Sequence, residues 1–134
     1  IASETGASVC APDALWSLDS ELVIPCALGG VIDMRFAERT EARLICGGAN
    51  NILAAPHVEE LLSSRGVTYV PDFISSAGGV IDGIGESVMG LADRGPLIHA
   101  LAETTRAVLN EARSSDTTAT RVARDVAERR LAGR

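Results

Sequence analysis

Short apolar runs alternate with longer periodic segments along this chain. Three runs, ELVIPCA at 21–27, ARLICGG at 42–48 and GVTYVPD at 66–72, have the length of strands and show no alternation. That is the pattern of strands buried on both faces. A weaker run, ASVCAP at 7–12, reads as a fourth strand at the sheet edge. Helical segments follow the three strong runs: GVIDMRFAERT, PHVEELLSSRG and AGGVIDGIGESVMGLADRG. In the second of these, Pro56 suits the first helical turn and Gly66 the C-terminal stop. Val58, Leu61 and Leu62 give it an apolar stripe. Strand, helix, strand, helix, strand is the order of a parallel sheet with helical crossovers.

The order changes after Gly95. PLIHALAETTRAVLNEARSS and TTATRVARDVAERRLAGR read as two amphipathic helices with no strand between them. Leu97, Leu101, Val108 and Leu109 mark the apolar face of the first, and Val122, Val126 and Leu131 that of the second. Thr117 or Thr118 is a natural N-cap for the last helix. The expected class is therefore α/β, with three to four parallel strands followed by two C-terminal helices. The opening IASETGA reads as the end of a helix closed by Gly6. It lacks a methionine, so the chain looks cut at its front.

Composition narrows the function. The chain has 134 residues, enough for one domain, and 46% are hydrophobic against only 3% aromatic. Its core must be built from Ala, Val, Leu and Ile. A net charge of -6 argues against nucleic acid, which calls for a basic face. No apolar run reaches the roughly 18 residues that cross a bilayer, and no signal peptide is visible. All 12 basic residues are arginine, so chemistry that needs lysine has none in this sequence. Cys10, Cys26 and Cys46 are an odd number without metal spacing; they are expected as buried, reduced thiols of a cytoplasmic protein.

In an open parallel sheet, ligands bind beyond the carboxyl ends of the strands. All three strong strands end there in small or polar clusters: PCALGG, CGGANN and PDFISSAGG. Gly29, Gly30, Gly47, Gly48, Gly78 and Gly79 would let a ligand approach the backbone. Asn50, Asn51, Ser75 and Ser76 add polar contacts without charge. The expectation is a crevice for a flat, polar, neutral group, with no nucleophile, general base or metal site. Each feature also has a plain structural reading. The glycine pairs serve as turns, Asn50 and Asn51 close the turn before Pro56, and Ser75 or Ser76 caps a helix. Asp72 reads as a turn residue, and His57 and His99 as surface or packing residues. The GIG at 83–85 is no phosphate fingerprint, because no strand precedes it.

Taken together, PCALGGVI, GGANNILA and RGVTYVPDFISSAGGVI, in that order, resemble the coenzyme domain of the amino-acid dehydrogenases acting on leucine, valine and phenylalanine. The closing ARDVAERRLAGR also resembles that family's last helix. The resemblance implies the latter half of a Rossmann-type domain over residues 1–95, with a helical segment at 96–134 packed on it. It implies NAD as coenzyme and oxidative deamination of an L-amino acid, branched-chain or aromatic. Cys26, Ala27 and Leu28 would run along the coenzyme, and Ala49 and Asn50 would sit at its nicotinamide end. Ser76, Ala77 and Gly78 would border the substrate, with Ser76 standing where the family has asparagine. Serine is shorter and cannot donate and accept in the same geometry, so the grip on the amino acid is expected to be altered.

The family's catalytic lysines and aspartate belong to an N-terminal substrate domain. Its glycine-rich phosphate loop and ribose-binding acid also precede the matched region. No catalytic residue is therefore assigned, and the chain alone is expected to be inactive, with NAD binding weak or lost. Expected partners are the nicotinamide coenzyme, an amino-acid or keto-acid substrate, a second chain completing the fold, and further copies in a homo-oligomer. The alternatives are a truncated or split homologue kept as a binding or assembly partner, or another activity in the same crevice.

Overall fold

The computed structural model describes residues 2–133; Ile1 and Arg134, the two ends of the opening and closing helical readings, lie outside the described residues. Helix α1 (Ala2–Thr5) ends at Gly6, whose φ of +72° and hydrogen bond to Ala2 O close it as expected. Three parallel strands follow in the order β1 (Leu22–Val23), β2 (Leu44–Ile45) and β3 (Thr68–Tyr69). Leu22 lies opposite Leu44, and Leu44 opposite Thr68.

The paired segments are much shorter than the apolar runs. Pro25 and Pro71 have no N–H to continue the ladder, and Gly47–Gly48 loosens β2 at the same level. Single bonds carry the alignment a little further: Cys46 N donates to Val23 O, Gly48 N to Pro25 O and Val70 N to Ile45 O. The run at 7–12 is not a strand. Residues 7–11 carry no strand assignment, Val9 is 86% exposed, and Pro12 opens a 3-10 helix (Pro12–Ser17). Without a neighbouring ladder, β-forming residues gain nothing from extension.

Helix α2 (Met34–Arg39) is capped by Asp33, whose carboxylate accepts from Phe36 N at 2.8 Å. Helix α3 (His57–Ser64) ends in a Schellman motif: Gly66 N donates to Ser63 O and Val67 N to Leu62 O, with Gly66 at φ +76°. Helices α2 and α3 cover the sheet face that carries Val23, Ile45 and Tyr69. There Ile45, Ile52, Val58 and Leu62 are at most 1% exposed. The third helical segment forms one helix from Ala77, and the loop before it adds a short helical turn. A short α4 (Asp72–Ser75) precedes α5 (Ala77–Met89), which Gly90 closes at φ +67°.

The two C-terminal helices, α6 (Gly95–Ser114) and α7 (Ala119–Ala132), form a second core with α4 through Ile74, Val108, Ala112 and Val122. Thr118 is the cap of α7, accepting from Arg121 N at 3.3 Å. Leu131 does not join this core; it is 67% exposed. A buried carboxylate joins the two cores. Glu59 on α3, 5% exposed, accepts from Thr120 N at the start of α7 at 3.0 Å. Burial pushes its carboxyl above the usual glutamate range, while donors from Thr120 and Ala119, and the charge of Arg124, pull it partly back.

Candidate functional site

The three strand-end loops meet at one edge of the sheet, as the parallel topology requires. Their contacts are unusually direct. Pro25 O accepts from both Gly48 N and Ala49 N, at 2.9 and 3.1 Å, and Gly30 N donates to Asn51 O at 2.8 Å. Gly30 at φ +70° and Asn51 at φ +53° make the left-handed turns that this pairing needs. The third loop is tied in by side chains. Ser75 Oγ donates to Gly47 O at 2.5 Å, and Ser76 Oγ donates to Asn50 Oδ1 at 2.9 Å.

Two of the glycines serve this contact rather than a ligand. A Cβ on Gly47 would stand 2.6 Å from Pro25 O, and one on Gly29 3.0 Å from Asn50 O. Those positions are glycine because backbone meets backbone there. Gly78 is not forced in this way: a Cβ there would make ordinary contacts at 3.8 Å with Ile98 and Leu101, where α5 crosses α6. Gly79 is open on that side.

The expected site residues divide into three groups. Cys26, Ala27 and Leu28 are exposed and flank a groove of about 600 Å³ beside β1, lined by Leu22, Ile24 and Phe36 among others. Ala49 is half-buried and Asn50 exposed in the second loop. Ser76, Ala77 and Gly78 are half-buried where α4 passes into α5. The structure brings Asn50 and Ser76 into direct contact. Ser76 occupies the N-cap position of α5 but makes no side-chain bond to that helix, so its hydroxyl is available to Asn50. Neither Ser75 nor Ser76 acts as a helix cap.

The cysteines depart from expectation. Cys10 and Cys26 are exposed and only Cys46 is half-buried. Cys26 follows Pro25, where the ladder ends, so its side chain sits on a loop and not in the core. Burial pushes the Cys46 thiol up, the Ser75 hydroxyl pulls it back, and nearby Cys26 adds to the rise.

Asp72 is more than a turn residue. Its two oxygens accept from Ile52 N (3.2 Å) and Phe73 N (2.9 Å), and its own N–H donates to the Tyr69 hydroxyl at 3.3 Å. It bolts the second loop to the end of β3. Burial and the Asp72 charge push the Tyr69 phenol up, which keeps it neutral. With Asp72 committed to backbone amides, the crevice offers neutral donors and acceptors: hydroxyls, a carboxamide and backbone groups at the N-terminal end of α5. Among the described residues, no three His, Cys, Asp or Glu side chains gather as a metal site. No helix there is long and apolar enough to cross a membrane. His57 and His99 are both exposed.

Comparison with known proteins shows the family and the fold. Residues 2–115 match the family profile of glutamate/leucine/phenylalanine/valine dehydrogenases. The chain is 31% identical over 128 residues to an L-tryptophan dehydrogenase of Nostoc punctiforme, covering 94% of this chain and 36% of that one. It is 43% identical over 75 residues to a valine dehydrogenase of Streptomyces albus, covering 55% of this chain and 21% of the other. The chain thus spans about a third or less of the length of these relatives. The crystal structure of the Nostoc punctiforme L-tryptophan dehydrogenase superposes with a TM-score of 0.90 at 30% identity, over 98% of this chain and 41% of that one. A glutamate dehydrogenase of Thermus thermophilus shares the fold, with a TM-score of 0.71 at 23% identity, over 97% and 34% of the two chains.

Proposed function

Because this chain belongs to the glutamate/leucine/phenylalanine/valine dehydrogenase family, we propose that its crevice is the nicotinamide side of an L-amino-acid dehydrogenase site. The observation that carries this reading is the Ser76–Asn50 hydrogen bond. It joins the loop expected to hold coenzyme to the loop expected to border substrate. A dehydrogenase needs those two sides in contact, because hydride passes directly between them. The nicotinamide, when bound, supplies the hydride acceptor.

The residues fit such a group. Small side chains leave room for a flat ring, and the Asn50 carboxamide offers its NH2, its oxygen being occupied by Ser76. Cys26, Ala27 and Leu28 would border the coenzyme on the β1 side, with Ala49 and Asn50 on the β2 side. Ser76, Ala77 and Gly78 would border the amino acid, close to the N-terminal end of α5, whose dipole favours a carboxylate. In this reading the chain binds and orients, and proton transfer falls to groups outside its sequence. NAD is the coenzyme proposed, and a branched-chain or aromatic L-amino acid the substrate class. Further copies of the chain, or a chain completing the fold, would be its partners. The names of the tryptophan and valine enzymes support that substrate class by similarity.

Titration calorimetry of this chain with NAD tests the reading, alongside NAD reduction with leucine, valine, phenylalanine and tryptophan. Weak binding without turnover is expected, because no lysine is present and none of the strand-end glycine pairs has the G-x-G-x-x-G spacing that holds a pyrophosphate at a helix start. Turnover by these 134 residues, or no binding of NAD at any concentration, would contradict it.

A further inference from the structure

We propose that Cys26 and Cys46 form an oxidisable thiol pair on the crevice floor, which peroxide closes to an intramolecular disulfide. The geometry comes from the end of the β1–β2 ladder. Cys46 N donates to Val23 O and Gly48 N to Pro25 O, so residues 46 and 48 repeat with period two and project to the same face. The Cys26 sulfur stands 3.5 Å from the position a Gly48 Cβ would take. The Cys26 thiol therefore leans over the face that carries Cys46, close enough to add to the rise of the Cys46 thiol. Both thiols reach solvent: Cys26 is exposed and Cys46 half-buried. Cys10 lies on the exposed segment before the 3-10 helix, outside the β1–β2 ladder in sequence.

Closing a disulfide requires the two Cα atoms within about 7 Å. The adjustment falls on residues 26–30, a turn containing Gly29 and Gly30 that is pinned to the second loop by the Gly30–Asn51 bond. Exposed Cys26 meets the oxidant first. Its thiolate attacks a peroxide oxygen, the O–O bond breaks, and hydroxide leaves and is protonated to water, giving the sulfenic acid. The Cys46 sulfur then attacks that sulfur, the S–O bond breaks, and a second water carries off the Cys46 proton. The thiols lose two electrons, and one peroxide is reduced to two waters. A dithiol reductant reverses the change. The bridge would tie the β1 loop to β2 where the ladder ends.

The test is peptide mapping after hydrogen peroxide treatment of the folded chain, with the remaining thiols alkylated. The Cys10→Ser variant makes the result unambiguous. Trypsin cuts after Arg35 and Arg43, which leaves Cys26 and Cys46 on separate peptides. The expected result is one linked pair of peptides, reversed by dithiothreitol and formed faster in buffer than in urea. Cys46→Ser should stop at a Cys26 sulfenic acid that dimedone traps. Three results would each overturn the proposal: Cys26 oxidised while Cys46 stays alkylatable, disulfide-linked dimers in place of the internal bridge, or equal rates in buffer and urea.

Discussion

The crevice and the junction beneath α7 both join distant parts of the chain, by opposite means. At the crevice, backbone meets backbone: Pro25 O accepts two amides of the second loop, and Gly29 and Gly47 are glycine because a Cβ would collide. No charged group there is free. At the junction, a single buried carboxylate, Glu59, holds the first turn of α7 against α3. Backbone contact between the first two loops, with small hydroxyls and the amide-bound Asp72 tying in the third, leaves a floor that is small and open to a flat ligand. A buried charge fills its space and responds to pH. The first arrangement suits binding and the second suits holding two cores together.

The largest effect is expected from breaking the backbone contact. Gly47→Val places a branched side chain 2.6 Å from a carbonyl that no rotamer change can avoid. A loss of about 3 kcal/mol is expected, the upper end for overpacking, measured by urea denaturation. The cores of α6 and α7 lie elsewhere, so a loss no greater than that of an exposed glycine such as Gly83→Val would refute the close packing. Next comes the junction. Glu59→Ala leaves the Thr120 amide without its partner and should cost about 1–3 kcal/mol. Glu59→Gln keeps an acceptor and removes the charge, so it separates the two contributions.

The sign of the pH effect follows from the raised carboxyl. Between the usual glutamate range and the raised folded value, the folded chain keeps a proton that the unfolded chain has lost. This contribution is complete below the unfolded value and is lost as pH rises through the folded one. Thermal melts of the native chain should therefore lose stability across that window. Glu59→Gln should flatten that part of the curve, and an unchanged slope would assign the dependence to another group.

Local signals are legible in the sequence, and long-range ones are not. Gly66 after Leu62 announces a Schellman closure, and Thr118 before a periodic run announces a cap, because both act within a few residues. The parallel order of the three runs was legible from their alternation with helices. The length of the pairing was not, because Pro25 and Pro71 cut the ladder while the apolar run continues. Glu59 was invisible: in HVEELLSS, adjacent acids read as a solvated face, and only the later arrival of α7 buries one of them. The run ASVCAP failed for the converse reason, since nothing in the described structure pairs with it. At the site, the residue types were legible, but not their division of labour. Ser76 and Asn50 lie 26 residues apart and meet only in the fold. Gly29 and Gly47 look like ligand glycines and serve the loops instead.

The proposed function requires the three strand-end loops to form one nicotinamide-binding floor. Amide chemical-shift mapping of the uniformly 15N-labelled chain, titrated with NAD, tests it most directly, because weak binding still moves peaks. Nicotinamide mononucleotide in a parallel titration isolates the ring end. Shifts are expected at Cys26, Ala27, Leu28, Ala49, Asn50, Ser76, Ala77 and Gly78, with the Asn50 side-chain NH2 among those that move with the mononucleotide. Thr120 and its neighbours at the Glu59 junction should stay still. Shifts confined to that junction, or to the groove beside β1 without Asn50 and Ser76, would contradict it.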